Sequence, residues 1–317
     1  MKLKYVLPLA ASLLISGQVL AADISIAGVV FQQDMFMRSV ARGMEEAGNE
    51  ADVNMLIANS DNKIEKEANL IDTYIARGVK AIVIAPLSDQ ASIPALKRAH
   101  DQGIKVVTWT TGIKADFPVA TAGSSGATMG GGTGKSAAKF IKEKLGGKAN
   151  VGLIGFKSQL IELSTERTEG FLNEAGKDGN VLNIRAEQDA WLAEKAVSVV
   201  SDMLTANPDI NVIYAANEGG SVGAVQAVRR SGKQGKVFVF GTDGSEQLVS
   251  FLLNPDGVMV ATTAAQPKLI GRAALDAALA AVKGESHPSH IEVPAIPLTR
   301  LDPEGLKAYQ EILRQVN

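Results

Sequence analysis

Six short apolar runs punctuate this chain, at residues 24–31, 81–85, 106–109, 151–156, 212–216 and 237–241. Runs of Val, Ile and Ala without polar alternation mark strands buried on both faces, which occur in parallel sheets covered by helices. Each run stops at a polar or aromatic residue and then gives way to a helical pattern. In open sheets of this kind ligands sit outside the carboxyl ends of the strands. The residues just after the runs are therefore the functional candidates: Asp34, Phe36, Thr110, Thr111, Asn217 and Asp243. Such a site is spread along the whole chain.

Between the runs the pattern is strand, loop, helix and Gly, the right-handed βαβ repeat. Helices are expected over 37–48, 63–77 and 89–102, with further strands at 53–58 and 119–122. A second set of units begins near Gly126, with helices over 134–145, 165–175, 194–206, 221–231, 246–253 and 269–283 and added strands at 181–185 and 258–262. Residues 302–317 read as a capped surface helix. Two similar α/β halves face each other, and a cleft between domains is where small ligands bind.

The first residues, Met1-Lys2-Leu3-Lys4, carry two positive charges and precede an apolar stretch ending in Val19-Leu20-Ala21-Ala22. That is the layout of a cleaved secretory signal, residues 1–22. Pro8, Ser12, Ser16, Gly17 and Gln18 interrupt a stretch shorter than the ~20 apolar residues of a membrane anchor. No Cys stands at the cut for a lipid, so an exported, soluble, periplasmic product is expected. The chain has no cysteine, which an oxidising compartment tolerates when the core is large. A net charge of −2 and no basic cluster beyond Arg229-Arg230 argue against a nucleic-acid partner.

Several chemical motifs fail on spacing. The stretch Gly130 to Ser136 resembles a phosphate loop, but Met129 stands where that pattern needs its first Gly. It reads as a loop opening a helix. His287 and His290 lie in a Pro-containing surface loop without acidic or Cys partners, a poor metal site. Gly123-Ser124-Ser125-Gly126 has the wrong spacing for a nucleophile elbow. No catalytic constellation and no cofactor motif stands out. Trp191 follows a strand in a polar loop, which makes it a candidate ligand-facing ring, whereas Trp109 suits an inward position. Arg167, placed at the start of a helix, opposes the helix dipole there; a salt bridge to Glu166 or Glu169 or a bidentate grip on a ligand explains it.

The chain resembles the periplasmic sugar-binding proteins of the ribose-binding type. The resemblance rests on Asp34-Met35-Phe36-Met37 ahead of Gly43, Ile82 to Pro86, and Glu166-Arg167 ahead of Gly170-Phe171. It continues through Asn217-Glu218 ahead of Gly223-Ala224, Gly241-Thr242-Asp243-Gly244, and Ala261-Thr262 with Gln266-Pro267 and Gly271. It implies an α/β fold of two doubly wound parallel-sheet lobes joined by a three-crossing hinge, the type I periplasmic-binding-protein fold. The crossings fall near Gly123, Gln266 and Pro294. The lobes are then 23–123 with 267–294 and 124–266 with 295–317.

The same resemblance implies ligand contacts from Asp34, Phe36, Met37, Thr110, Thr111, Arg167, Trp191, Asn217, Asp243 and Gln266. Arg167, Asn217 and Asp243 would grip hydroxyls, and Phe36 and Trp191 would cover a sugar ring. The implied partners are a sugar or polyol and the membrane permease of an ABC transporter, with a chemoreceptor or sensor as the alternative, for a monomer that is not an enzyme. An exported α/β enzyme is the remaining reading. The chain departs from the sugar binders at Thr110-Thr111, where they place Asp-Arg, at Asp34, where they have Asn, and at Ala265, where they have Gln. Fewer charged donors suit a small polyol, a deoxy or branched sugar, or a furanose such as autoinducer-2.

Overall fold

The computed structural model describes residues 24–33 and 35–316, with the side chains of 315 and 316 left aside. The expected leader and the candidate Asp34 lie outside the described residues. The first half runs β1 (Ser25–Val30), α1 (Met35–Glu50), β2 (Asn54–Asn59), α2 (Ile64–Ala76), β3 (Ala81–Ile84), α3 (Ile93–Asp101), β4 (Lys105–Trp109) and β5 (Ala120–Gly123). The second runs α4 (Gly126–Lys144), β6 (Lys148–Gly155), α5 (Ile161–Ala175), β7 (Val181–Asp189), α6 (Ala193–Ala206) and β8 (Val212–Ala215). It continues with α7 (Glu218–Arg230), β9 (Phe238–Phe240), α8 (Glu246–Leu253) and β10 (Met259–Ala264). The chain closes with α9 (Pro267–Lys283), β11 (His290–Glu292), β12 (Ile296–Thr299) and α10 (Pro303–Val316).

The strands form two six-stranded sheets, ordered β2-β1-β3-β4-β5-β11 and β7-β6-β8-β9-β10-β12. All pairs are parallel except β10 with β12. Each lobe thus repeats one doubly wound order, with its switch point beside the central first strand, between β1 and β3 or between β6 and β8. The apolar runs are the buried strands: Ile82, Val83, Val106, Ile213 and Val239 are fully enclosed. Chain passage between sheets occurs after β5, after β10 and between β11 and β12.

Helices were longer than expected where glycine misleads. The stretch Gly130 to Gly134 is interior to α4 rather than a loop. Glycine is a poor helix former in isolation, but here it permits contact between backbones. A Cβ on Gly130 would run into the carbonyl of Arg167, and one on Gly134 would lie 2.6 Å from the Phe171 carbonyl. Gly170 returns the contact from α5, where its Cβ would lie 2.6 Å from the Ala127 carbonyl. Gly43 and Gly271 do the same for α1 and α9 in the first lobe. Helix α5 begins at Ile161, four residues ahead of expectation, so Arg167 sits in its middle and no longer opposes the first turn of the dipole. Helix α10 is not merely a surface helix: Leu306, Tyr309 and Leu313 are buried in the second-lobe core, and Tyr309 Oη donates to the Gly244 carbonyl at 2.7 Å.

Substituting Gly130→Ala should cost about 3 kcal/mol by overpacking. Gly131→Ala, whose Cβ would meet Glu174 Cγ at 3.4 Å and the Gly170 carbonyl at 3.7 Å, should be neutral or stabilise by up to ~1 kcal/mol. Thermal melts of the two variants, side by side, check both outcomes.

Candidate functional site between the lobes

Buried hydroxyls beneath the second sheet's carboxyl edge fix the loop that carries Asp243. Thr133 Oγ1 donates to the Gly241 carbonyl at 2.8 Å, and Thr262 Oγ1 donates to the Asp243 carbonyl at 2.7 Å. The Asp243 amide donates to the Thr263 carbonyl at 2.9 Å. Held at both backbone ends, Asp243 adopts a left-handed φ of 79°, an uncommon state for any residue but Gly. Its Oδ2 accepts the Glu218 amide at 2.9 Å, at the first turn of α7.

Arg167 reaches this carboxylate from α5. Its Nη1 donates to the Ala216 carbonyl at 2.9 Å and lies 3.4 Å from the Asp243 carboxylate. The guanidinium carbon stands 5.6 Å from the Phe156 ring centroid, a cation–π approach. The Arg167 carbonyl accepts from Tyr214 Oη at 3.1 Å, and full burial drives that phenol's pKa far upward, so it stays a neutral donor. The Arg167 side chain is 11% exposed, and its Nε is buried without a protein partner.

Asn217 caps α7. Its Oδ1 accepts the Gly220 amide at 3.1 Å and its Nδ2 donates to the Trp191 carbonyl at 2.9 Å. One N–H of the amide therefore remains for another partner. Trp191 is 38% exposed, and its ring centroid lies 5.5 Å from that of Phe156. Arg167, Trp191, Asn217 and Asp243 thus form one connected cluster beyond the ends of β6, β7, β8 and β9.

The first lobe offers two threonine hydroxyls. Thr110 has a φ of 60°, strained for a β-branched residue, and its Oγ1 is buried without a protein partner. Thr111 Oγ1 stands 3.5 Å from the Pro86 carbonyl, a weak contact. Both threonines line a cleft of about 550 Å³ between the β3–α3 loop, the β4–β5 loop and the start of α5. Phe36 is half-buried against the first-lobe core. Met37 does not join the cleft: it is 5% exposed within that core. Its neighbour Met35 instead packs against the second-lobe core, crossing from one lobe to the other.

Gln266 lies in the hinge. Its Nε2 donates to the Pro294 carbonyl at 2.8 Å, tying the second crossing to the third. Ser124 Oγ donates to the Val293 carbonyl at 2.7 Å, and the Ser125 amide donates to Glu292 at 3.1 Å, tying the first crossing to the third. Sequence reasoning missed an ion pair across the cleft mouth: Lys114 Nζ lies 2.7 Å from Asp89 in its own lobe and 3.0 Å from Glu162 in the other. These carboxylates raise the Lys114 pKa, Asp89 most, and Lys114 holds Glu162 below its usual range. All three side chains looked like ordinary surface charges in sequence.

The periplasmic binding protein domain profile matches residues 24–286. The chain belongs to the periplasmic binding protein family. It is 30% identical over 264 residues to a ribose import binding protein of Bacillus subtilis, covering 82% of this chain and 81% of that protein. It is 32% identical over 228 residues to the D-allose-binding periplasmic protein of Escherichia coli, covering 70% and 72%. A solute-binding protein of Actinobacillus succinogenes crystallised with D-allose superposes with a TM-score of 0.76 at 27% identity, over 90% of this chain and 100% of that one. These likenesses carry the two-lobed α/β fold and a family of ligand-binding rather than catalytic proteins.

Glu292 supplies a pH-dependent hinge contact. Burial works to raise its pKa, but Thr128, the Ser125 amide and His290 outweigh that and hold it below the usual range. A depressed carboxyl adds stability above its unfolded pKa of ~4.3 and loses it as pH falls through the folded value. Glu292→Gln should therefore melt below the wild type at pH 7, and the gap should close as pH drops below about 4.

Proposed function

We propose that this protein captures an uncharged sugar or polyol between its lobes and delivers it, in the periplasm, to the permease of an ABC transporter. One observation carries the reading: a buried arginine beside a carboxylate, its Nε without a protein partner, at the carboxyl edge of a parallel sheet. Vicinal hydroxyls complete such a pair in bidentate fashion, donating to the carboxylate and accepting from the guanidinium. Phe36 and Trp191 supply rings for the C–H faces of the ligand. The ribose and allose specificities of the relatives support a sugar of that size.

The lobes in this reading are residues 23–123 with 267–294 and 124–266 with 295–317, closing about the crossings. Residues 1–22 are the export signal that brings the chain to the periplasm. The first-lobe wall offers the hydroxyls of Thr110 and Thr111, with Asp89 and Lys114 already paired to each other at its mouth. This favours a polyol, deoxy sugar or furanose over an ordinary aldohexose.

A thermal-shift screen of residues 23–317 against pentoses, hexoses, deoxy sugars, furanoses and inositols tests this. A ligand at 100 times its Kd adds about 2.7 kcal/mol to the native state. Arg167→Ala and Asp243→Ala should each weaken the hit by about 30-fold or more in titration calorimetry, with the fold intact by circular dichroism. A screen in which only a common aldohexose binds tightly would overturn the ligand class, and no carbohydrate hit at all would overturn the sugar reading.

A further inference from the structure

Glu67 is a carboxylate in an unexpected place. It lies on α2, behind the cleft, and is 1% exposed with no cation against it among its described contacts. Its Oε2 accepts the Leu87 amide at 2.9 Å. Burial pushes its pKa up, while the Ser92 hydroxyl and the Leu87 amide draw it back. Ser92 Oγ in turn accepts the Ser88 amide at 3.2 Å, and Ser88 Oγ accepts the Ala91 amide at 3.0 Å. Its Oε1 is buried without a protein partner, so the carboxylate holds the β3–α3 loop, residues 86–92, at Leu87, while Ser88 and Ser92 bond the loop to itself.

The loop has a use for that rigidity. Its tip residue Asp89 accepts the Lys114 amide through its carbonyl at 2.8 Å and the Lys114 ammonium through its carboxylate at 2.7 Å. Lys114 then spans to Glu162 on the opposite lobe. A half-exposed lysine loses conformational entropy in any fixed ion pair, so such bridges are weak unless a partner is already rigid. Asp89 provides that rigid partner only while the loop holds its shape.

We infer that Glu67 is a positioning residue for lobe closure: it fixes the β3–α3 loop so that Asp89 presents Lys114 across the cleft mouth to Glu162. Glu67 touches no ligand in this scheme and acts as a hydrogen-bond acceptor, so a neutral acceptor of the same shape suffices. The inference rests on the cleft being the ligand site, but its test needs no ligand. A failed sugar screen therefore leaves it standing or falling on its own.

The chain has no cysteine, so labels can be placed cleanly. Gln102→Cys and Asn173→Cys, both exposed and on opposite lobes, carry spin labels for an interlobe distance distribution. Hydrogen exchange of residues 86–92 is followed in the same proteins. Glu67→Leu should speed that exchange tenfold or more and shift the distance distribution as far as Lys114→Met does. Glu67→Gln should stay close to wild type in both readouts. The double variant Glu67→Leu/Lys114→Met should shift no further than Lys114→Met alone, because both act through one bridge.

A loop whose exchange stays within twofold in Glu67→Leu overturns the inference. So does a distance effect that adds to that of Lys114→Met, or a Lys114→Met distribution identical to wild type. Should Glu67→Leu fail to fold, Ser92→Ala removes the hydroxyl that holds the Ser88 amide in the same loop. It should speed exchange of residues 86–92, and unchanged exchange there overturns the inference equally.

Discussion

Arg167 reaches Asp243 only because α4 and α5 touch backbone to backbone. The glycines of α4 bring the two helices close enough that a Cβ on Gly130 would collide with the carbonyl of Arg167 itself. That carbonyl is then fixed from below by Tyr214. With the main chain of Arg167 held on two sides, its side chain has one open direction, over Phe156 toward Asp243. A side chain at position 130 would displace α5 as a unit and move the guanidinium off the carboxylate. The second lobe's chemistry therefore depends on a contact made on the far side of a helix.

The two lobes share a topology and differ in chemistry. Both place their switch point beside the central first strand, and the cleft between them is lined by the loops after β3 and β4 and by the start of α5. The second lobe carries a charged pair, an amide and the exposed Trp191 at its sheet edge. The first lines the cleft with two threonines and the paired Asp89 and Lys114, and its Phe36 is half-buried against the core.

Much of this was legible in the sequence. The six apolar runs are the central strands, and the polar residues after them, Thr110, Asn217 and Asp243 among them, stand at the sheet edges. The failures have physical causes. Gly130 to Gly134 read as a loop because intrinsic propensity counts against glycine, whereas the partner helix that requires it is distant in sequence. The start of α5 carried no signal because Leu160 caps it without a side-chain bond. Strands β11 and β12 are three and four residues long, too short for a pattern. Lys114 and Glu162 are 48 residues apart, and nothing local marks either as a partner. Nothing local in the charged helix around Glu67 marks it as buried, and only tertiary packing encloses it.

The hinge crossings are bonded to one another as well as to the lobes. Ser124 to Val293, Ser125 to Glu292 and Gln266 to Pro294 stitch three separate segments side by side into a ribbon. A ribbon resists shear and splay and yields mainly about the axis across its strands. The open protein then explores few orientations that do not lie on the path to closure. Less orientational entropy is lost when a ligand brings the lobes together, so a small molecule with a handful of hydroxyls can bind tightly without a large contact area.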